Sequence, residues 1–464
     1  MAERASRILG LGICGVDFLT TDITRSHFEV GGAICEMNAA VGLRPHRVAD
    51  PKRDIITPML DKLFGPGGNG RIPTAAVTGT TGKTTTVRML TGILTASGRT
   101  VGSVTTDEIL VGKEALAFGD FAGRTGAEMV FGDPRCEVAV LETARGGIIK
   151  RGIAFEHCDV AVLTNVGEDH LGEHGVETPA EMAEIKARLL RTAEKAVVLN
   201  AACPNSMKLL DQHRFPRTIL VAPRAAEARV GAQLEAGGEV LRFEGKDGDR
   251  ELVYLAGGER TPLLRERQVP ATLKGTAGHN AENALFAAAA AIALEVPLET
   301  IRTGLKGFAA DLVHSPGRLS FVEGLDFQLL VDFAHNPAQL QTVTRFIDDY
   351  AGDKRRLCLM TVPGNRTDAQ ILASGAAAAG HFDHYICYER RDWWRGREPG
   401  EIAELLRRGL LEAEVPESAV EAGLLQNDAI GHVLSLAGKG DFVAIFGSFA
   451  RDSVPRFRAA AKGA

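Results

Sequence analysis

Ala76-Val-Thr-Gly-Thr-Thr-Gly-Lys-Thr-Thr-Thr86 stands between the apolar approach Ile72-Pro-Thr-Ala-Ala76 and the amphipathic run Val87–Leu94. A short strand, a Gly-rich turn and then a helix is the order that a phosphate-binding loop requires. Gly79 and Gly82 let the backbone turn its N–H groups toward an anion, and the helix N-terminus adds favourable partial charge. Lys83 then reaches the terminal phosphates, and the Thr84 hydroxyl is placed to ligate Mg²⁺. Val77 stands where the eight-position pattern has its first glycine. The stretch predicts binding of a nucleoside triphosphate.

Working outward, the 464-residue chain is long for a single core, so two or three domains are expected. Its 45% hydrophobic and 24% charged residues fit a globular protein. A net charge of −6 without a long basic run argues against nucleic acid as a partner. Phe286–Leu294 is apolar but too short to cross a bilayer, and it reads as a packed helix. The N-terminus lacks the apolar core of a signal peptide. Seven scattered cysteines without a C-x-x-C pair suggest reduced thiols, so a cytoplasmic protein is expected.

The Pro/Gly-rich segment Phe64–Pro73 is the clearest linker. Beyond it, apolar runs such as Thr74–Val77, Val138–Leu141, Val160–Leu163 and Ala196–Leu199 alternate with helical patterns. That alternation predicts a largely parallel, helix-covered sheet. Residues 231–275 carry polar alternation and read as antiparallel strands. After His314-Ser-Pro-Gly-Arg318, the runs Gln328–Asp332, Arg356–Thr361, His384–Tyr388 and Phe442–Phe446 predict a second, smaller α/β unit.

Polar groups follow several of these strands, which is where open α/β sheets bind ligands. Glu142 ends Val138-Ala-Val-Leu-Glu and is placed to hold Mg²⁺ beside a γ-phosphate, or to form a cap or salt bridge. Val160-Ala-Val-Leu-Thr-Asn165 runs into Val-Gly-Glu-Asp-His170. Lys186, within the helical Pro179–Thr192, reads by itself as a solvated surface lysine. Two other motifs fail on context. Gly10–Gly15 fits G-x-G-x-x-G, but Val16-Asp-Phe-Leu-Thr20 reads as strand where a dinucleotide site needs helix. His170-Leu-Gly-Glu-His174 fits a zinc-protease pattern that also needs a helix, which Gly172 and Gly175 disfavour.

Together, the loop at Thr78–Thr85, Glu142, Asp169-His170, Lys186, Gly278-His-Asn-x-x-Asn283, Pro316-Gly-Arg318 and Asp332-Phe-Ala-His-Asn-Pro337 resemble the Mur ligases. These are ATP-dependent amide-bond ligases, with folylpolyglutamate synthetase among their relatives. The nearest resemblance is to the Mur-like half of cyanophycin synthetases. It rests on Thr105-Thr-Asp107, Gly119-Asp120, Leu141–Ile148, Pro363–Asp368 and Arg395–Glu401. Gly15-Val-Asp-Phe and Gly31–Gly42 resemble the tail of an ATP-grasp domain, in which the residues matching Asp17, Glu36 and Asn38 hold Mg²⁺. About sixty-five residues are too few for an ATP-grasp fold, so this piece is expected not to be an active site alone.

The resemblance implies an α/β fold in three parts. Residues 1–66 would be an α+β ATP-grasp remnant, 72–312 the P-loop parallel-sheet central domain, and 313–464 a smaller Rossmann-like C-terminal domain. It implies ATP and Mg²⁺ as cofactors. Gly79, Thr80, Gly82, Lys83, Thr84 and Thr85 would hold phosphate, with Asn280 and Asn283 on the adenine side or capping a helix. Arg318 and Asp332 would reach phosphate and ribose from the C-terminal domain. Thr84, Glu142, His170 and a carbamylated Lys186 would serve the metals. Lys83, His170 and Lys186 would be catalytic. His335 and Asn336 would lie near the incoming amine, or simply form a turn before Pro337. By their own chemistry, Trp393 and Trp394, set among Arg390, Arg391 and Arg395, are expected either to stack on a guanidinium or bind an acidic chain, or to be packed or at an interface.

The implied reaction joins an amino acid, arginine in the cyanophycin-like case, to a carboxylate of an acidic peptide. A glutamate-adding ligase and an ATP-binding, non-catalytic subunit of a two-chain complex are the alternatives. No membrane partner is expected, and a homo-oligomer or a separate ATP-grasp chain is left open.

Overall fold

The computed structural model describes residues 1–167, 172, 175–223, 227–246, 249–448 and 450–463. Contacts divide the chain into two units, Met1–Ile72 and Pro73–Ala464.

The first unit is built on an antiparallel pair, Gly15–Leu19 with Ala33–Asn38, accompanied by four helices of which Ile56–Phe64 is the longest. The pairing sets Asp17 opposite Glu36 and Gly15 opposite Asn38. Asn38 Nδ2 lies 3.4 Å from Asp17 Oδ2. None of residues 1–72 is buried, and Phe28, Ile23, Ile8 and Val48 are largely exposed.

The second unit contains two sheets. Among the described residues, the larger has eleven strands. Their order is Glu259–Arg265, Glu251–Ala256, Glu239–Glu244, Thr218–Ala222, Ala193–Asn200, Cys158–Leu163, Thr74–Thr78, Val138–Glu142, Val101–Val104, Glu108–Val111 and Glu114–Phe118. The seven strands from Glu239–Glu244 to Val101–Val104 run parallel. Continuous Val, Ala and Leu runs suit strands buried on both faces. An antiparallel pair extends each edge.

The region expected to be wholly antiparallel is mixed. Glu227–Glu235 is helical, and Gly237-Gly238 stops it. The next strand, Glu239–Glu244, runs parallel to Thr218–Ala222 and antiparallel to Glu251–Ala256.

The smaller sheet has the order Ser320–Val322, Gln328–Asp332, Phe442–Phe446, Arg356–Met360, His384–Glu389 and Val420–Leu425, parallel except for the first strand. The apolar runs named from the sequence are therefore strands here. The edge pair Glu251–Ala256 and Glu259–Arg265 is antiparallel as expected of residues 231–275, whereas Val420–Leu425, Ser320–Val322, Glu108–Val111 and Glu114–Phe118 are strands that no apolar run announces.

Two helices place the site on the larger sheet. Lys83–Ala96 begins at Gly82, whose backbone is left-handed at φ +82°, and ends at Ser97-Gly98. Gly278–Ala293 packs against it through the fully buried Ala287–Ala291. Small side chains let this helix lie close to its neighbours, and the closeness carries over to its polar first turn.

Candidate active site

The loop after Thr74–Thr78 turns tightly through Gly79 and Gly82 into the helix Lys83–Ala96, and its apex is braced from the neighbouring strand. Asn165, just past Cys158–Leu163, accepts the Thr81 N–H at 2.9 Å and the Thr80 N–H at 3.2 Å through its side-chain oxygen. Its amide donates to Thr81 Oγ1 at 2.9 Å. Thr164 Oγ1 donates to the Thr81 carbonyl at 2.6 Å. Glycine is needed at both turn positions. A Cβ on Gly79 would overlap Thr164 Oγ1, and one on Gly82 would overlap Asn283 Oδ1.

Lys83 donates to the Thr80 carbonyl at 3.1 Å. Thr84 Oγ1 donates to Glu142 Oε2 at 2.8 Å, because Thr74–Thr78 and Val138–Glu142 are paired and end level. The Thr106 hydroxyl donates to the other oxygen, Oε1, at 2.7 Å, and its N–H donates to Oε2 at 3.1 Å. Thr84 and Glu142 thus present adjacent hard oxygens, a donor set that fits Mg²⁺. Among the described residues no group of three His, Cys, Asp or Glu could hold a metal. The remaining ligands would be phosphate oxygens and water, as is usual for Mg²⁺.

Lys186 is 2% exposed, and its Nζ lies 3.3 Å from Thr80 Oγ1. It is not the solvated lysine that its helix alone suggested. His170 and Asp169, expected beside it, lie outside the described residues.

The opposite wall comes from the C-terminal domain. Asp332 is buried and accepts the backbone N–H groups of Leu319 and Ala334, both at 2.7 Å. This fixes the turn carrying Arg318, where Leu319 adopts a left-handed φ of +50°. Burial pushes the Asp332 carboxyl up, against the pull of Arg318 and those N–H groups. The Arg318 guanidinium lies over the Phe333 ring, 4.6 Å from its centroid.

A cleft of about 1050 Å³ joins the two walls. Gly79–Thr85, Glu142, Lys186, Asn280, Asn283, Arg318, Asp332 and His335 all line it. That volume lies at the upper end of ligand-site sizes. Asn280 and Asn283 sit inside the helix Gly278–Ala293 and do not cap it. Asn280 Nδ2 instead donates to the Ala271 carbonyl at 2.8 Å. Asn336 does cap, its Oδ1 accepting the Gln339 N–H at 2.9 Å, and it does not line the cleft.

Trp393 is buried, edge-on to Phe333 at 5.6 Å and beneath the chain's own Arg390 at 5.0 Å. Trp394 Nε1 donates to Glu389 at 2.8 Å.

Several cleft residues stand in motifs quoted above but carry no role assigned from the sequence. Asn165 was visible only as a polar end to a strand. Asp120 and His279 also line the cleft. Burial pushes the Asp120 carboxyl up, with Glu142 and Asp107 adding to the shift. Burial pushes His279 down to about 4, so its imidazole is neutral.

The model of the Mur ligase middle domain matches residues 77–291, and that of the Mur ligase glutamate ligase domain matches 317–449. The chain belongs to the Mur ligase superfamily. It carries the middle domain and the glutamate ligase domain of that family, in that order.

The chain is 38% identical over 454 residues to the cyanophycin synthetase of Geminocystis herdmanii, covering 96% of this chain and 50% of that one. The chain thus spans about half the length of the cyanophycin synthetases it matches. It is 24% identical over 381 residues to the UDP-N-acetylmuramoyl-L-alanyl-D-glutamate--2,6-diaminopimelate ligase of Caldanaerobacter subterraneus, covering 80% of this chain and 72% of that enzyme. Among solved structures, E. coli FolC in complex with DHPP and ADP superposes with a TM-score of 0.62 at 21% identity. That match covers 85% of this chain and 90% of FolC, and it establishes the shared fold.

Proposed function

We propose that the chain is an ATP- and Mg²⁺-dependent amide ligase that joins arginine to a carboxylate of an acidic peptide. The observation that carries this reading is one cleft lined by Lys83, the Thr84–Glu142 oxygen pair, buried Lys186 and, from the other domain, Arg318 and Asp332. The choice of arginine and an aspartate-ended acceptor follows the likeness to cyanophycin synthetases. Arg124, Arg145, Lys150 and Arg151 on one lip of the cleft suit an acidic chain.

In this reading the acceptor carboxylate attacks the γ-phosphorus of ATP, and ADP leaves. The amine then attacks the acyl phosphate through a tetrahedral intermediate, and phosphate leaves. Catalysis of this type is mainly positioning and charge neutralisation. Lys83 leaves the Thr80 carbonyl to meet the γ-phosphate, and the loop N–H groups hold the β-phosphate. Mg²⁺ held by Thr84 and Glu142 would supply neutralising charge on the phosphate oxygens. A buried ammonium is costly, and carbamylation of Lys186 by CO₂ would exchange it for a carbamate anion whose oxygen can serve a metal; the family resemblance assigns His170 to the same metal. Asn280 and Asn283 face the adenine side, Arg318 and Asp332 reach phosphate and ribose, and His335 borders the amine, with Asn336 capping the helix that follows it.

The test is phosphate release by the purified chain with ATP, Mg²⁺ and panels of amino acids and acidic peptides, with any separate ATP-grasp chain supplied. Stimulation is expected with arginine plus an aspartate-ended acceptor. It should fall at least about 100-fold in Lys83→Ala. Glutamate-specific stimulation would redirect the substrate assignment, and no stimulation by any pair would sink the ligase reading.

A further inference from the structure

Where the P-loop helix meets the C-terminal domain, a buried aspartate meets two arginines at its carboxylate and a third at its backbone carbonyl. Asp107 lies in the turn between Val101–Val104 and Glu108–Val111 and is 7% exposed. Arg88, five residues beyond Lys83 on the same helix, is 8% exposed. One of its nitrogens donates to Asp107 Oδ2 at 2.7 Å, and the other donates across the domain boundary to the Pro316 carbonyl at 3.1 Å. Arg451, on the C-terminal helix Ala450–Gly463, donates to the Asp107 carbonyl at 2.6 Å. Arg318 Nη2 stands 3.7 Å from Asp107 Oδ1.

That last oxygen is buried and accepts no hydrogen bond. A buried acceptor without a donor is unfavourable, and the cation facing it is Arg318. A shift of about 1 Å in the Arg318 side chain would bring the pair to charge-assisted hydrogen-bond distance. Phe333 already supports the other face of the same guanidinium. Arg318 and Lys83 line one cleft, so whatever aims Arg318 sets the charge that the terminal phosphate meets.

We propose that Asp107 and Arg88 are positioning residues: they tie the P-loop helix to the turn Pro316–Arg318 and aim Arg318 at the γ-phosphate. Neither touches the nucleotide; both act through Arg318. The proposal rests on the assignment of this cleft to ATP. It differs from a plain domain-stapling network in one respect: its effect grows with the phosphate that Arg318 meets.

The test is calorimetric titration of the full chain, with Mg²⁺ present, by ADP and by the non-hydrolysable β,γ-imido analogue of ATP. Asp107→Asn is expected to bind the imido analogue about tenfold more weakly and ADP less than twofold more weakly. Arg318→Lys is expected to show the same selective loss. The double variant should be no weaker than the worse single one, since both remove one interaction. If Asp107→Asn fails to fold, Arg88→Lys serves in its place, because a lysine cannot reach both Asp107 and the Pro316 carbonyl. Equal losses for both nucleotides, additive losses in the double variant, or unchanged binding would each overturn the proposal. A wild-type chain that binds neither nucleotide would sink the ATP assignment itself. Wild-type binding with unaffected variants would sink only the positioning role.

Discussion

Gly82 shows how much one position can be required to do. Its backbone is left-handed at φ +82°, and the space where a Cβ would stand belongs to Asn283. The left-handed conformation alone costs an L-residue about 1–2 kcal/mol. Gly82→Ala is therefore expected to weaken ADP binding at least about tenfold by calorimetry while the chain still folds. Asn165 is the complementary case. Asn165→Asp keeps acceptors for the Thr80 and Thr81 N–H groups but sets a negative charge beside the phosphate cradle. An affinity loss of about tenfold is expected; unchanged affinity would show that a charge at this position is not felt by the bound phosphates. The glycines and Lys83 were legible because the loop's demands are local. Asn165 was not, because its role depends on Cys158–Leu163 pairing beside Thr74–Thr78.

At the scale of elements, the helix Gly278–Ala293 joins packing to chemistry. Its apolar body was legible as a packed run, but the environment of its first turn is set by tertiary contacts. His279 illustrates this. Burial lowers it from an ordinary 6.5 to about 4. As pH falls from 6.5 toward 4, the unfolded chain takes up a proton that the native chain refuses. The stability present above pH 6.5 is thus progressively lost on acidification. His279→Gln removes this contribution, so its melting temperature should fall less steeply than wild type between pH 7 and 4; parallel curves would contradict it. Edge strands such as Glu114–Phe118 and Val420–Leu425 escaped the sequence because exposed edges are not bound to a clean apolar pattern. The central strands were legible because burial on both faces leaves only apolar runs.

For the molecule as a whole, all four apolar cores are built from residues 75 to 457. Residues 1–72 bury nothing. Removing them is expected to leave the melting temperature of the remaining chain within a few degrees of the full chain, as read by differential scanning calorimetry. A drop of ten degrees or more would show that the first unit supports the second. The central strands of both sheets were legible from their apolar runs, whereas the ties that join Arg88 to Pro316, 228 positions away, and Asp107 to Arg318 leave no local trace. The run Ala287–Ala291 has a consequence of a different kind. Each of these methyl groups is fully enclosed, so even a valine would overpack the site at a cost of about 1–3 kcal/mol. A map of mutational tolerance across this chain should therefore show a second intolerant stretch, as sharp as the phosphate loop, at five residues that carry no chemistry at all.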